Sequence, residues 1–161
     1  MNVAGEFTSP APPAALATLA TDRSRLGAVA VLRDLVVDAD TVRARFRPGS
    51  LFAGTTFDVA IRAGRVGPES AELHVVGRHG PHLVDVALRL GFVPAGSGSR
   101  VTWSAEVAVR GPMASVGQRV IRDLATRAID EVLQQAAAAG VPRRPDVGGQ
   151  QAGAPTAPRP T

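Results

Sequence analysis

Three histidines fall in the short stretch HVVGRHGPH (His74, His79 and His82), and their type and spacing are the first hint of chemistry in this chain. Clustered histidines can hold a divalent metal or move protons near neutral pH. The local pattern argues for neither. His74 sits in an alternating segment where it points away from the apolar face, and His79 and His82 flank Gly80-Pro81, a turn pair. No carboxylate is spaced to complete a metal set, and the absence of cysteine excludes disulfides and thiolate ligands. All three read as surface histidines. No glycine-rich phosphate loop and no Ser-His-Asp order appears.

The basic residues are the next candidates. All 18 are Arg and none is Lys, against 14 acidic residues, for a formal net charge of +4. They are scattered, and one Trp, five Phe and no Tyr leave few platforms on which bases could stack, so nucleic acid is not an expected partner. With 161 residues, 45% hydrophobic and 20% charged, the chain suits one domain with a real core. No apolar run approaches the roughly 20 residues that span a bilayer, and MNVAGEFTSP lacks the basic start and apolar run of a signal peptide. A cytoplasmic protein is expected.

The elements that position these residues follow from periodicity. Val3–Thr8 reads as a first strand, and Pro12–Arg23 with its continuation to Gly27 as short helices. Six strands follow. Val29–Val37 has a blurred, bulge-like pattern. Thr41–Arg47 sets Val42, Ala44 and Phe46 against three Arg. Thr55–Arg62 sets Phe57, Val59 and Ile61 against Asp58 and Arg62. Ala71–Arg78 sets Leu73 and Val75 against Glu72 and His74. His82–Phe92 sets Val84, Val86, Leu88 and Leu90 against Asp85 and Arg89. Val101–Arg110 sets Trp103, Ala105 and Val107 against Ser104 and Glu106. One wet and one dry face per strand is the antiparallel signature. A long helix follows, with Pro112 in its first turn and Gly140 at its stop. Met113, Val116, Val120, Leu124, Ala128 and Val132 recur on one face. The expectation is an α+β domain over residues 1–140: a curved seven-stranded antiparallel sheet gripping a long C-terminal helix, with two short helices after the first strand. Residues 141–161 hold five Pro and three Gly with almost nothing large and apolar, and read as a disordered tail.

The dry face tests for catalysis, which needs a titratable group in the pocket. Charged residues fall almost wholly on the wet face, with Arg33 the one exception left open by the blurred strand. A dry concave surface suits an apolar ligand. The expected lining is Phe46, Leu51, Phe52, Phe57, Val59, Val75, Val84, Val86, Leu88, Trp103, Ala105, Val107, Met113, Val116, Val120 and Leu124, with no catalytic residue and no metal. A filled core without ligand is the alternative. In a strand meander, the turns after Arg47, Arg78 and Arg110 share one end. Leu51 and Phe52, in RPGSLFAGT, would meet Pro81 and Met113 there, ringed by the three Arg. An apolar tip with a basic rim suits contact with an anionic membrane, with Arg47, Leu51, Phe52, Arg78 and Arg110 as the contact set.

GEFTSPAP (Gly5–Pro12), AGTTFDVAI (Ala53–Ile61) and the segment Ser99–Leu133 together resemble the CoxG-like family of carbon monoxide dehydrogenase subunits. The resemblance spans roughly residues 1–138 and departs from the family pattern at RHGPHLVD. It implies a START/Bet v 1-like helix-grip (SRPBCC) fold with a deep apolar cavity. It also implies a non-catalytic role beside a molybdenum hydroxylase at the membrane, with a quinone, menaquinone in particular, as ligand and no other cofactor. A polyketide cyclase or aromatase type of enzyme shares the superfamily fold and remains the alternative, as does an assembly factor without a ligand.

Overall fold

The structure, a computed structural model, describes residues 1–22, 26–27, 29–47 and 54–139. The described chain runs β1 (Asn2–Ser9), α1 (Pro13–Thr21), β2 (Leu32–Asp38), β3 (Thr41–Phe46), β4 (Phe57–Val66), β5 (Ser70–His79), β6 (His82–Ala95), β7 (Gly98–Arg110) and α2 (Gln118–Ala139). The strands form one curved antiparallel sheet of seven in the order β1-β7-β6-β5-β4-β3-β2. Consecutive strands from β2 to β7 are neighbours, and β1 closes the far side against β7. The architecture is the helix-grip fold expected from the alternation. The tail, and most of the second short helix, lie outside the described residues; Leu26 and Gly27 belong to a 3-10 turn.

Period-two patterning fixes which side of each strand is dry. Val42, Ala44, Phe57, Val59, Leu88, Trp103, Ala105 and Val107 are all buried on the concave side. The convex side carries exposed cross-strand ion pairs: Arg45 with Asp34 at 3.8 Å and Asp58 at 4.0 Å, Arg62 with Asp40 at 3.7 Å, and Arg89 with Glu72 at 4.0 Å. Such exposed pairs add little stability each; their main effect is to commit one face to water.

The blurred strand contains the irregularity its pattern suggested. The β2–β3 register shifts between Arg33 and Val36, with Asp34 at φ 53°. The bulge turns Arg33 outward, opposite Arg45, where it is exposed. The one charged residue that could have reached the dry face therefore does not.

The long helix departs from expectation at its start. Pro112 opens a separate 3-10 turn, Pro112–Val116, and α2 begins only at Gln118. Gly117 at φ 112° and ψ 139° breaks the helical path, in a region of backbone space that only glycine occupies easily. From Gln118 the helix spans 22 residues, about 33 Å, and packs along the concave face.

At the end opposite the β5–β6 turn, α1 is tied to the sheet by hydrogen bonds. The Ser99 hydroxyl donates to the Ala11 carbonyl (2.7 Å), and the Ser9 hydroxyl accepts from the Ala11 amide (3.1 Å). Leu16 and Leu19 then pack on Phe92, Val101 and Ala137.

Candidate functional site

The register brings one end of every strand from β2 to β7 together. Phe46 pairs with Phe57, His79 with His82, and Leu83 with Arg110. The turns after β3, β5 and β7 therefore leave the sheet at a common end, as the meander requires.

A cavity of about 240 Å³ lies under this end, between the sheet and α2. The sheet supplies Phe46, Phe57, Val59, Val75, Val84, Val86, Leu88 and Val107, all of them expected, together with Leu32, Ile61, Gly77 and Val109. Met113 and Val116 contribute from the 3-10 turn, and α2 contributes Ile121, Leu124, Ala125, Ala128, Ile129, Val132 and Leu133. Every one of these lining residues is aliphatic, aromatic, Met or Gly. A second cavity of about 140 Å³ lies toward α1, lined among others by Phe7, Leu16, Leu19 and Phe92. Six side chains belong to both walls: Leu32, Ile61, Val75, Leu88, Val132 and Leu133. The two spaces are thus separated by a single layer of apolar side chains.

Three expected lining residues lie elsewhere. Trp103 and Ala105 are buried in a cluster with Val3 and Leu133, next to the edge strand β1. There the Trp103 indole donates to the Asp130 carboxylate at 3.2 Å. Val120 is 45% exposed. It stands in the first turn of α2, just after the break at Gly117, whereas the other members of the expected stripe, Met113, Val116, Leu124, Ala128 and Val132, all reach the wall. Val116 reaches the wall but stays 57% exposed. Leu51 and Phe52 lie outside the described residues. Arg47, Arg78 and Arg110 are exposed at the common end. Arg78 and Arg110 stand opposite Leu83 on its two neighbouring strands, on the convex side of the rim.

The wall residues absent from the expected lining are mostly large aliphatic ones on faces that the periodicity marks as dry, such as Ile61, Val109, Val132 and Leu133. Gly77 and Ala125 are different: they create space rather than fill it, and a search for large apolar residues passes over them. The usable signal was a glycine at an inward position of an otherwise regular strand.

The histidines also separate. His74 is on the convex face, 2.8 Å from Asp85. His79 and His82 close the β5–β6 hairpin on the inward parity, in line with Gly77 and Val84. Among the described residues, no group of three His, Asp or Glu side chains is placed to hold a metal ion. No described helix is long and apolar enough to cross a membrane.

Solved structures share this architecture. A conserved protein from Geobacillus kaustophilus superposes with a TM-score of 0.73 at 19% identity, covering 87% of this chain and 95% of its own. A START superfamily protein from Mycobacterium smegmatis gives 0.65 at 12% identity, with 85% and 94% covered. The di-domain ARO/CYC protein StfQ of the steffimycin biosynthetic pathway gives 0.65 at 9% identity, with 94% of this chain and 51% of that one covered. Identities this low establish the fold alone. No curated protein matches the sequence. The family model for CoxG, a subunit of carbon monoxide dehydrogenase, matches residues 52–139, from the approach to β4 through the end of α2. That match covers more than half the sequence and includes most of the cavity wall: the chain belongs to the CoxG family of carbon monoxide dehydrogenase subunits.

Proposed function

We propose that this protein is a non-catalytic carrier of a long apolar ligand of the quinone type, menaquinone being the first candidate, and that it links a molybdenum hydroxylase such as carbon monoxide dehydrogenase to the membrane. The observation that carries the reading is the pair of apolar cavities sharing one wall. Together they fall in the lower part of the range of small-ligand sites, about 300–1,000 Å³. A wall made wholly of apolar side chains and left in contact with water is unfavourable, which favours an apolar occupant. The ligand's chain would lie past Leu88 and Val132 toward α1, and its ring end would lie at the rim. The family description supports the enzyme partner, and the exposed Arg78 and Arg110 at the cavity end support peripheral contact with anionic lipid. The likeness to StfQ keeps a cyclase reading in view. That reading would need a titratable group in the wall, and the described lining residues include none.

Native mass spectrometry followed by organic extraction tests the proposal. A co-purifying isoprenoid quinone is expected. An Ala128→Phe variant, which fills the larger cavity from α2, should purify without it while keeping or raising its Tm. Protein that arrives empty and takes up no added quinone would overturn the reading.

A further inference from the structure

The apolar wall ends at two rings with a defined hydrogen-bonding state. His82 Nδ1 accepts the backbone N–H of Met113 at 3.1 Å. A nitrogen that accepts a hydrogen bond carries no proton, so the His82 proton is on Nε2, and that nitrogen is a donor. His79 Nδ1 lies 2.8 Å from the Thr56 carbonyl, which can only accept, so His79 donates from Nδ1. The two rings are parallel within 3°, with centroids 6.1 Å apart. His79 in turn sits 5.6 Å from the ring of Phe57, a wall residue of the larger cavity.

Both histidines share the inward parity of the wall residues Gly77 and Val84, and His82 is half-buried. His82 is gripped through one nitrogen by Met113, itself part of the wall. Among the described residues, no hydrogen-bond partner takes up the Nε2 proton. A donor of fixed tautomer thus stands at the rim of a cavity whose described wall offers no polar side chain.

We infer that His82 is the specificity-determining residue of the cavity: its Nε2–H donates to a carbonyl or hydroxyl oxygen on the ring end of the ligand, holding that end at the rim beside His79 while the chain lies inward. The inference rests on the carrier reading above and adds the ligand's orientation and the atom that recognises it.

The test uses the full chain and two probes that differ only in oxygen: a 2-alkyl-1,4-naphthoquinone and the corresponding 2-alkylnaphthalene. Wild type should bind the quinone about tenfold more tightly, the worth of one well-placed hydrogen bond. His82→Asn keeps an acceptor near the Nδ1 position for Met113 but removes the distal donor. It should erase the preference while leaving alkylnaphthalene affinity unchanged. His82→Gln places an amide near the Nε2 position and should restore part of the preference. A wild type that does not discriminate, or a His82→Asn variant that discriminates as well as wild type, overturns the inference and leaves the carrier reading standing. A wild type that binds neither probe overturns both.

Discussion

At the scale of single residues, two glycines on the concave face serve opposite ends. A Cβ on Gly5 would meet the Trp103 indole at 2.7 Å, so β1 can cross the indole only because that position has no side chain. The indole lies against Gly5 and donates its N–H to Asp130 of α2. Gly77 lines the larger cavity instead. A Cβ there would find Val59 at 3.5 Å and Phe57 at 3.9 Å, both ordinary contacts. The prediction is an asymmetric pair. Gly5→Ala should destabilise by about 1–3 kcal/mol through overpacking. Gly77→Ala should be neutral or stabilise by up to about 1 kcal/mol, because glycine is a poor strand residue. Urea denaturation of the two variants checks this; equal effects would mean that the indole shifts freely.

At the scale of elements, the 3-10 turn Pro112–Val116 is the part of the wall least attached to the rest. None of its residues is fully buried. Two of its hydrogen bonds are local, Ala114 N–H to Gly111 O and Ser115 hydroxyl to Pro112 O. The Met113 N–H ties it to the sheet through His82. Glycines at positive φ flank it, Gly111 at 94° and Gly117 at 112°. The backbone path between the turn and α2 depends on Gly117, whose conformation an L side chain resists. Gly117→Ala should lower stability by about 1–3 kcal/mol, the cost of forcing a side chain into that backbone region. The loss should be visible as a lower Tm, and an unchanged Tm would show that the turn can rejoin the helix without strain.

At the scale of the whole molecule, the sheet and helix hold the larger apolar space toward the end where β3 and β4 terminate at Phe46 and Phe57, while α1 is tied down over the smaller one at the other end. The segment that carries Leu51 and Phe52 joins those two strands. Changing both to Ser removes no residue of the described core, so folding should be unaffected. Binding to anionic liposomes should fall about tenfold or more, since each buried apolar side chain contributes about 1.5–3 kcal/mol. Co-sedimentation measures the loss, and full retention by the double variant would remove this end from the membrane reading.

Much of the fold was legible because burial on one side of a strand leaves a direct trace in alternation. TVRARFR declares its dry side as Val42, Ala44 and Phe46 with no knowledge of its neighbours. The meander order and the shared end of alternate turns follow from short connections between antiparallel strands. Three matters were decided only by tertiary structure. A glycine break cannot be distinguished by periodicity from a continuous helix, so the stripe through Met113, Val116 and Val120 was carried across Gly117 where the real path changes direction. Inward residues of one strand look alike in sequence, yet Val107 lines the cavity while Trp103 and Ala105 pack into the core with Val3 and Leu133, because only packing decides where space remains. The role of His82 depends on a bond to Met113, thirty-one residues away. Alternation records which side of a strand is dry; what fills that side, and what stands at its rim, is fixed by the elements that come to meet it.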